Sequence, residues 1–162
     1  MELLEAREQR DHFERKLLER HHGTLLTLRA NFPGEDKRHE KADLAVEILH
    51  QEVKKHFQPV KEERFSNAEG LILLLLLEES AYEVKKKALM LEETHPLGRL
   101  LDMDVRDEEK IWSRRDFHLP GRKCYLCADL AVHCVRSRKH ALEEVVSYFV
   151  DKVDAYAENG DG

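Results

Sequence analysis

Gly70 followed by LILLLLL, residues 71–77, limits this chain more than any other stretch. Seven consecutive aliphatic residues leave no polar side to face water. A helix crossing a bilayer needs about 20 such residues, so the run cannot span one. It reads as a central buried strand. A buried strand needs other layers packed on its sheet, and the chain has the length for one domain with a real core.

The rest of the pattern supplies those layers. Residues 2–21 read as a helix with Leu3, Leu4, Phe13, Leu17 and Leu18 as its apolar positions. TLLTLRANF (24–32) has strand composition and stops at the turn pair Pro33-Gly34. Residues 39–57 form an amphipathic helix with Leu44, Ile48, Val53 and Phe57 inward. Ser80 caps a short helix or turn over 81–86. KALMLEE (87–93) and GRLLDMDVR (98–106) read as strands joined across His95-Pro96, and KIWSRRDF (110–117) completes a hairpin after the polar turn DEEK. A cysteine-rich loop follows Pro120-Gly121. Residues 137–157 form the last helix, with Leu142, Val145, Val146, Phe149, Val150 and Val153 on its apolar side. The expectation is one α+β domain over 1–157 and a disordered tail over 158–162. Its sheet is mostly antiparallel and mixed, of about five strands, with N-terminal, central and C-terminal helices.

Charge narrows the function. The net charge is −6, yet residues 114–140 hold seven Lys/Arg against Asp116 and Asp129. A basic zone on an acidic protein suits a local anionic ligand or an acidic partner. It does not suit a general nucleic-acid binder, whose whole domain is usually basic. The first residues, MELLEAREQRDHFERK, are charged and carry no apolar signal region. With three cysteines, this points to the reducing cytoplasm rather than to disulfides or a membrane.

GRLLDMDV (98–105) places two aspartates in an apolar run. On a strand Asp102 and Asp104 share one face, with Leu101, Met103 and Val105 on the other. Their carboxylates then stand roughly 6–7 Å apart. Like charges so placed repel unless a cation sits between them. Magnesium binds one or two carboxylates and keeps its other positions for water and phosphate. That is the arrangement of metal-dependent phosphoryl and nucleotidyl transfer. The alternative is an edge strand with one wet face, where such alternation is ordinary.

A second cluster is spaced Cys124-x2-Cys127-x6-Cys134-x5-His140. Three thiolates and an imidazole can supply the four ligands of a structural zinc, with His133 and His118 as rival fourth ligands. The alternative is that the cysteines pack as small apolar residues under the last helix.

THPLGRLLDMDV followed by SRRDFHLPGRKCYLCADLAVHCVRSRKH closely resembles the apo-citrate lyase phosphoribosyl-dephospho-CoA transferases, also called holo-citrate lyase acyl-carrier-protein synthases. His95 to Val105, Ser113 to Cys127, Cys134 and His140 match that family's pattern. AREQR (6–10) and Pro33-Gly34 with Lys37 resemble its early segments more loosely. Leu101 stands where the family has an aromatic, and Glu35 where it has proline. The resemblance implies transfer of a phosphoribosyl-dephospho-CoA group from triphosphoribosyl-dephospho-CoA to a serine of the citrate lyase acyl carrier (gamma) subunit, with release of pyrophosphate. On that reading Asp102 and Asp104 hold Mg²⁺ against the triphosphate, and Glu92, at the end of the preceding strand, is the candidate third carboxylate. Arg99, Arg114, Arg115 and Arg122 are candidates for phosphate oxygens, and Lys37 and His95 are further candidates for binding the substrate. Two rivals stand beside it. One is a non-catalytic zinc module whose basic loop binds an acidic protein or nucleic acid. The other is a structural subunit of the lyase.

Overall fold

The computed structural model describes residues 2–159. Helix α1 (Leu3–His21) leads into β1 (Thr24–Ala30), α2 (Glu40–His56), the hairpin β2 (Lys61–Asn67) and β3 (Gly70–Leu77), and α3 (Ala81–Thr94). The second half holds β4 (Leu101–Arg106), the short β5 (Ile111–Trp112), α4 (Ala131–Ser137) and α5 (Leu142–Glu158). The strands form one five-stranded sheet in the order β2-β3-β1-β4-β5, with every pairing antiparallel. The α+β expectation therefore holds, without a parallel pair.

The leucine run is β3, buried along its whole length. Leu71, Leu73, Leu75 and Leu77 pack with α2, α3 and α5, through residues such as Leu49, Val84 and Phe149. Ile72, Leu74 and Leu76 pack on the opposite face under Leu17 and Leu18 of α1. Two covered faces explain why this strand shows no alternation.

Several expectations are corrected. KALMLEE is not a strand but the second half of α3, whose Ser80 side chain accepts the Glu83 N–H. Its Lys, Ala, Leu, Met and Glu are all strong helix formers, and Val84, Ala88 and Leu91 recur at helical spacing on the buried side. The hairpin partner at 110–117 shrinks to β5, because SRRDF winds into a 3-10 turn closed by a Ser113/Asp116 capping box. KEERFSN carries too few apolar residues to signal a strand, yet it is β2, the charged sheet edge beside β3. The last helix starts at Leu142 rather than 137, since 131–137 forms α4. Of the expected tail, Glu158 belongs to α5, and 160–162 lie outside the described residues. Among the described residues no helix is long and apolar enough to cross a membrane.

Inward faces also differ in detail. Leu4, Phe13, Leu44 and Leu142 are exposed, and α2 instead buries Ala42, Ala45, Val46, Leu49 and Val53.

Candidate active site

Strand β4 alternates as its sequence requires. Leu101, Met103 and Val105 are buried in the main core, while Asp102, Asp104 and Arg106 turn to the α1 face. Across the ladder Arg29 stands opposite Asp102, and Thr27 opposite Asp104. The α1 face of the sheet is therefore divided into an apolar half under Leu17 and Leu18 and a charged half around β4.

The charged half explains how two like charges stand side by side. Arg29 Nη1 lies 3.3 Å from Asp102 Oδ2, and Nη2 lies 3.3 Å from Asp104 Oδ2. One guanidinium thus bridges both carboxylates, in the fork geometry that arginine provides. Arg122 Nη1 donates to Asp102 Oδ1 at 2.8 Å, and Arg10 Nη1 approaches Asp104 at 3.9 Å. Buried Glu69 holds these arginines in place, accepting from Arg10 Nε at 2.7 Å and lying 3.8 Å from Arg29. Farther along the face, Arg106 donates to Asp11 and Glu14, and the Thr27 hydroxyl donates to Glu14 at 2.8 Å. Burial pushes the Asp102 carboxyl above its usual range; Arg29 opposes that shift, Asp104 adds to it, and Arg122 and Lys37 oppose it. Asp104 is the more open of the two, with its side chain 41% exposed.

The other arginines read from the sequence are placed differently. Arg122, beyond its bond to Asp102, donates to the carbonyls of Leu101 (2.9 Å) and Gly98 (3.1 Å). Arg99 donates to the carbonyls of Lys123 and Cys124, the latter at 2.7 Å. Arg114 binds Glu92 at 3.2 Å, Glu93 at 2.5 Å and the Pro120 carbonyl at 3.0 Å. Arg115 is exposed on the 3-10 turn. Lys37 donates to the Phe32 carbonyl, and burial lowers its ammonium pKa, with Arg7 and Arg29 adding and Asp102 and Glu69 opposing.

Glu92 sits on α3, not on a strand. Beyond the short β5, the outer edge of β4 has no strand partner at Met103. There Glu92 Oε2 accepts the Met103 N–H at 3.2 Å, and Lys85 donates to the Met103 carbonyl at 3.0 Å. Side chains thus replace a missing strand. His95 closes α3, and its Nδ1 accepts the Leu97 N–H at 3.0 Å. Gly98 follows because a Cβ there would strike the backbone carbonyls of Leu91 and Glu92. The HPLGR segment is therefore a tight turn that aims Arg99 at the cysteine loop.

That loop brings together Cys124, Cys127, Cys134 and His140, whose donor atoms all lie within 4.8 Å of one another. The set is compatible with zinc. His140 Nε2 is buried without a hydrogen-bond partner, while its Nδ1 faces Glu144 at 3.5 Å. An orphaned ring nitrogen oriented by a carboxylate on the other side is the usual posture of a metal-binding histidine. The Asp129 backbone and the adjoining His140 ring hold the Cys127 thiol down at about 6, while burial pushes Cys134 up to about 12. The rival ligands stand apart from the cluster: His133 pairs with Asp129 at 3.1 Å, and His118 lies exposed in a left-handed turn.

Sequence reading missed Arg29, Glu69 and Glu14. Arg29 carried a signal, since it alternates with Thr27 on a leucine-rich strand. Glu69 carried none, because only the fold turns the β2–β3 hairpin toward α1.

The family model described as apo-citrate lyase phosphoribosyl-dephospho-CoA transferase matches residues 1–156. A curated protein of that name from Citrobacter koseri is 36% identical over 151 residues, which cover 90% of this chain and 82% of the relative. Proteins of the same name from Shigella boydii and Escherichia coli O157:H7 are each 33% identical over 155 residues, covering 90% of this chain and 83% of theirs.

Proposed function

The chain belongs to the apo-citrate lyase phosphoribosyl-dephospho-CoA transferase family, and from that membership we propose the reaction and the residues that carry it. The protein transfers the phosphoribosyl-dephospho-CoA group of a triphosphate donor to a serine of the citrate lyase acyl carrier subunit. The serine oxygen bonds to the α-phosphorus, the bond from that phosphorus to the pyrophosphate oxygen breaks, and the serine proton is lost. A phosphodiester remains on the carrier.

The observation that carries this reading is the pair Asp102 and Asp104 on one face of β4, ringed by Arg10, Arg29 and Arg122. Both are hard oxygen donors, and Asp104 is open to solvent, which fits a magnesium ion that keeps positions for water and phosphate. When bound, Mg²⁺ supplies charge neutralisation at the α-phosphorus and on the departing pyrophosphate. Arg29, Arg10 and Arg122 bind phosphate oxygens, with Lys37 at the border. Arg115 and the basic residues of the cysteine loop face the carrier. Glu92, committed to the β4 edge and to Arg114, stays out of the metal pair. The cysteine cluster holds a structural zinc. Three free thiols and the acidic net charge suit a cytoplasmic enzyme that does not bind nucleic acid.

The test mixes the protein with the apo carrier, the triphosphate donor and Mg²⁺, and reads the carrier's intact mass. Attachment of the group by the wild type, and its loss with Asp102→Asn, are expected. An unmodified carrier refutes the reading. Triphosphate binding that ignores both Mg²⁺ and Asp102 favours the non-catalytic zinc module.

A further inference from the structure

Resting on the metal reading above, we propose that Arg29 is an internal stand-in for the divalent cation, so that metal and triphosphate enter the site only together. Its guanidinium lies between Asp102 and Asp104, 3.3 Å from an oxygen of each. A metal ion shared by those carboxylates needs the same space and the same oxygens. Arg29 therefore competes with a metal arriving alone.

The surroundings give Arg29 somewhere to turn. Its Nε is buried without a hydrogen-bond partner, so the guanidinium is only partly satisfied where it stands. Its hold on Glu69 is loose at 3.8 Å, and Glu69 is already engaged by Arg10. A triphosphate brings oxygens that match the guanidinium fork. When the donor's phosphates take Arg29, the carboxylates are freed for the cation that the same phosphates carry. Arg122 remains on Asp102 through its other anchors, the Leu101 and Gly98 carbonyls. The pair is thus neutralised in both states, by arginine before binding and by metal afterwards.

The experiment uses Mn²⁺ as the probe, read by electron paramagnetic resonance, with and without inorganic tripolyphosphate. The wild type is expected to bind Mn²⁺ alone weakly and roughly tenfold or more tightly with tripolyphosphate. Arg29→Gln is expected to bind Mn²⁺ alone roughly tenfold more tightly than the wild type, and to lose most of the gain from tripolyphosphate. Arg29→Lys keeps the charge but not the fork, so it also tightens Mn²⁺ binding, by less; it carries the test should Arg29→Gln fail to fold by circular dichroism. Mn²⁺ affinity that is unchanged or weaker in both variants, yet abolished by Asp102→Asn, overturns the inference and leaves the metal reading standing. Mn²⁺ binding indifferent to Asp102→Asn and Asp104→Asn overturns both.

Discussion

Removing Glu92 separates a sheet-edge cap from a metal ligand. The side chain is 6% exposed, accepts the Met103 N–H at 3.2 Å and pairs with Arg114 at 3.2 Å. Glu92→Ala leaves a buried N–H without an acceptor, which costs about 1–3 kcal/mol. It also strips the half-buried Arg114 of one of its partners, bringing the total to roughly 3 kcal/mol. At about 2–4 °C per kcal/mol for a chain of this size, the melting temperature falls by roughly 6–12 °C. Glu92→Gln keeps a carbonyl oxygen for Met103 and stays within about 1 kcal/mol of the wild type. The pH dependence provides a second reading. Burial raises the Glu92 carboxyl above its ordinary range, with Arg122, Lys85 and the Met103 N–H opposing. The folded state then holds this proton to higher pH than the unfolded chain does. Between the ordinary and the raised value, stability falls as pH rises, and Glu92→Gln loses that slope. Urea unfolding across pH 4–8, with calorimetric melting, measures both. A Glu92→Ala protein that melts within a degree of the wild type refutes the edge-cap assignment. A Glu92→Gln protein of unchanged stability whose half-saturating Mg²⁺ moves tenfold makes Glu92 a ligand after all.

Other outcomes follow from the same geometry. Asp104→Asn keeps the fold by circular dichroism and slows carrier modification by roughly a thousandfold at saturating Mg²⁺, whereas an ordinary wet strand face predicts less than a tenfold loss. Cys127→Ser lowers bound zinc well below one equivalent by elemental analysis and lowers the melting temperature, because a closed four-ligand site contributes folding free energy; equal melting with equal zinc counts against the cluster. Arg122→Lys loses the fork that spans Asp102 and the Leu101 and Gly98 carbonyls, and is expected to cost about 1–3 kcal/mol by urea denaturation along with most of the transfer rate. Gly98→Ala forces a Cβ onto the Leu91 and Glu92 carbonyls and destabilises by roughly 2 kcal/mol or more in the same assay.

The legible parts of this molecule are those where local pattern and burial agree. The β3 run could only be interior, and the D-x-D alternation of β4 by itself puts its two charges on one face. The spacing of Cys124, Cys127, Cys134 and His140 similarly anticipated their convergence. KALMLEE misled because seven residues of mixed polarity fit both periods, and helix propensity was the better guide. KEERFSN escaped notice because an edge strand needs few apolar residues when its partner supplies the core. The arginine lattice was least legible. Arg10, Arg29, Glu69 and Arg122 come from four distant parts of the chain, and only the sheet order brings them to one place.

The cysteine loop has one more bearing on that place. Of α4 only Cys134 is buried, so this segment has scarcely any apolar interior of its own. It is tied to the rest of the fold by Arg99, by Arg122 and by Tyr125, which packs on the main core and stacks on Tyr148, while the Ala131 N–H to Arg122 carbonyl bond of 2.9 Å joins α4 to the residue that grips Asp102. Cys127 and Cys134 sulfurs lie 3.5 Å apart on the same segment. A chelator or a thiol reagent acting there is expected to disturb Asp102 from behind, through the backbone of the residue that grips it. Sulfur chemistry at this loop is therefore expected to offer a second route to inhibition, one that needs no ligand for the phosphate site.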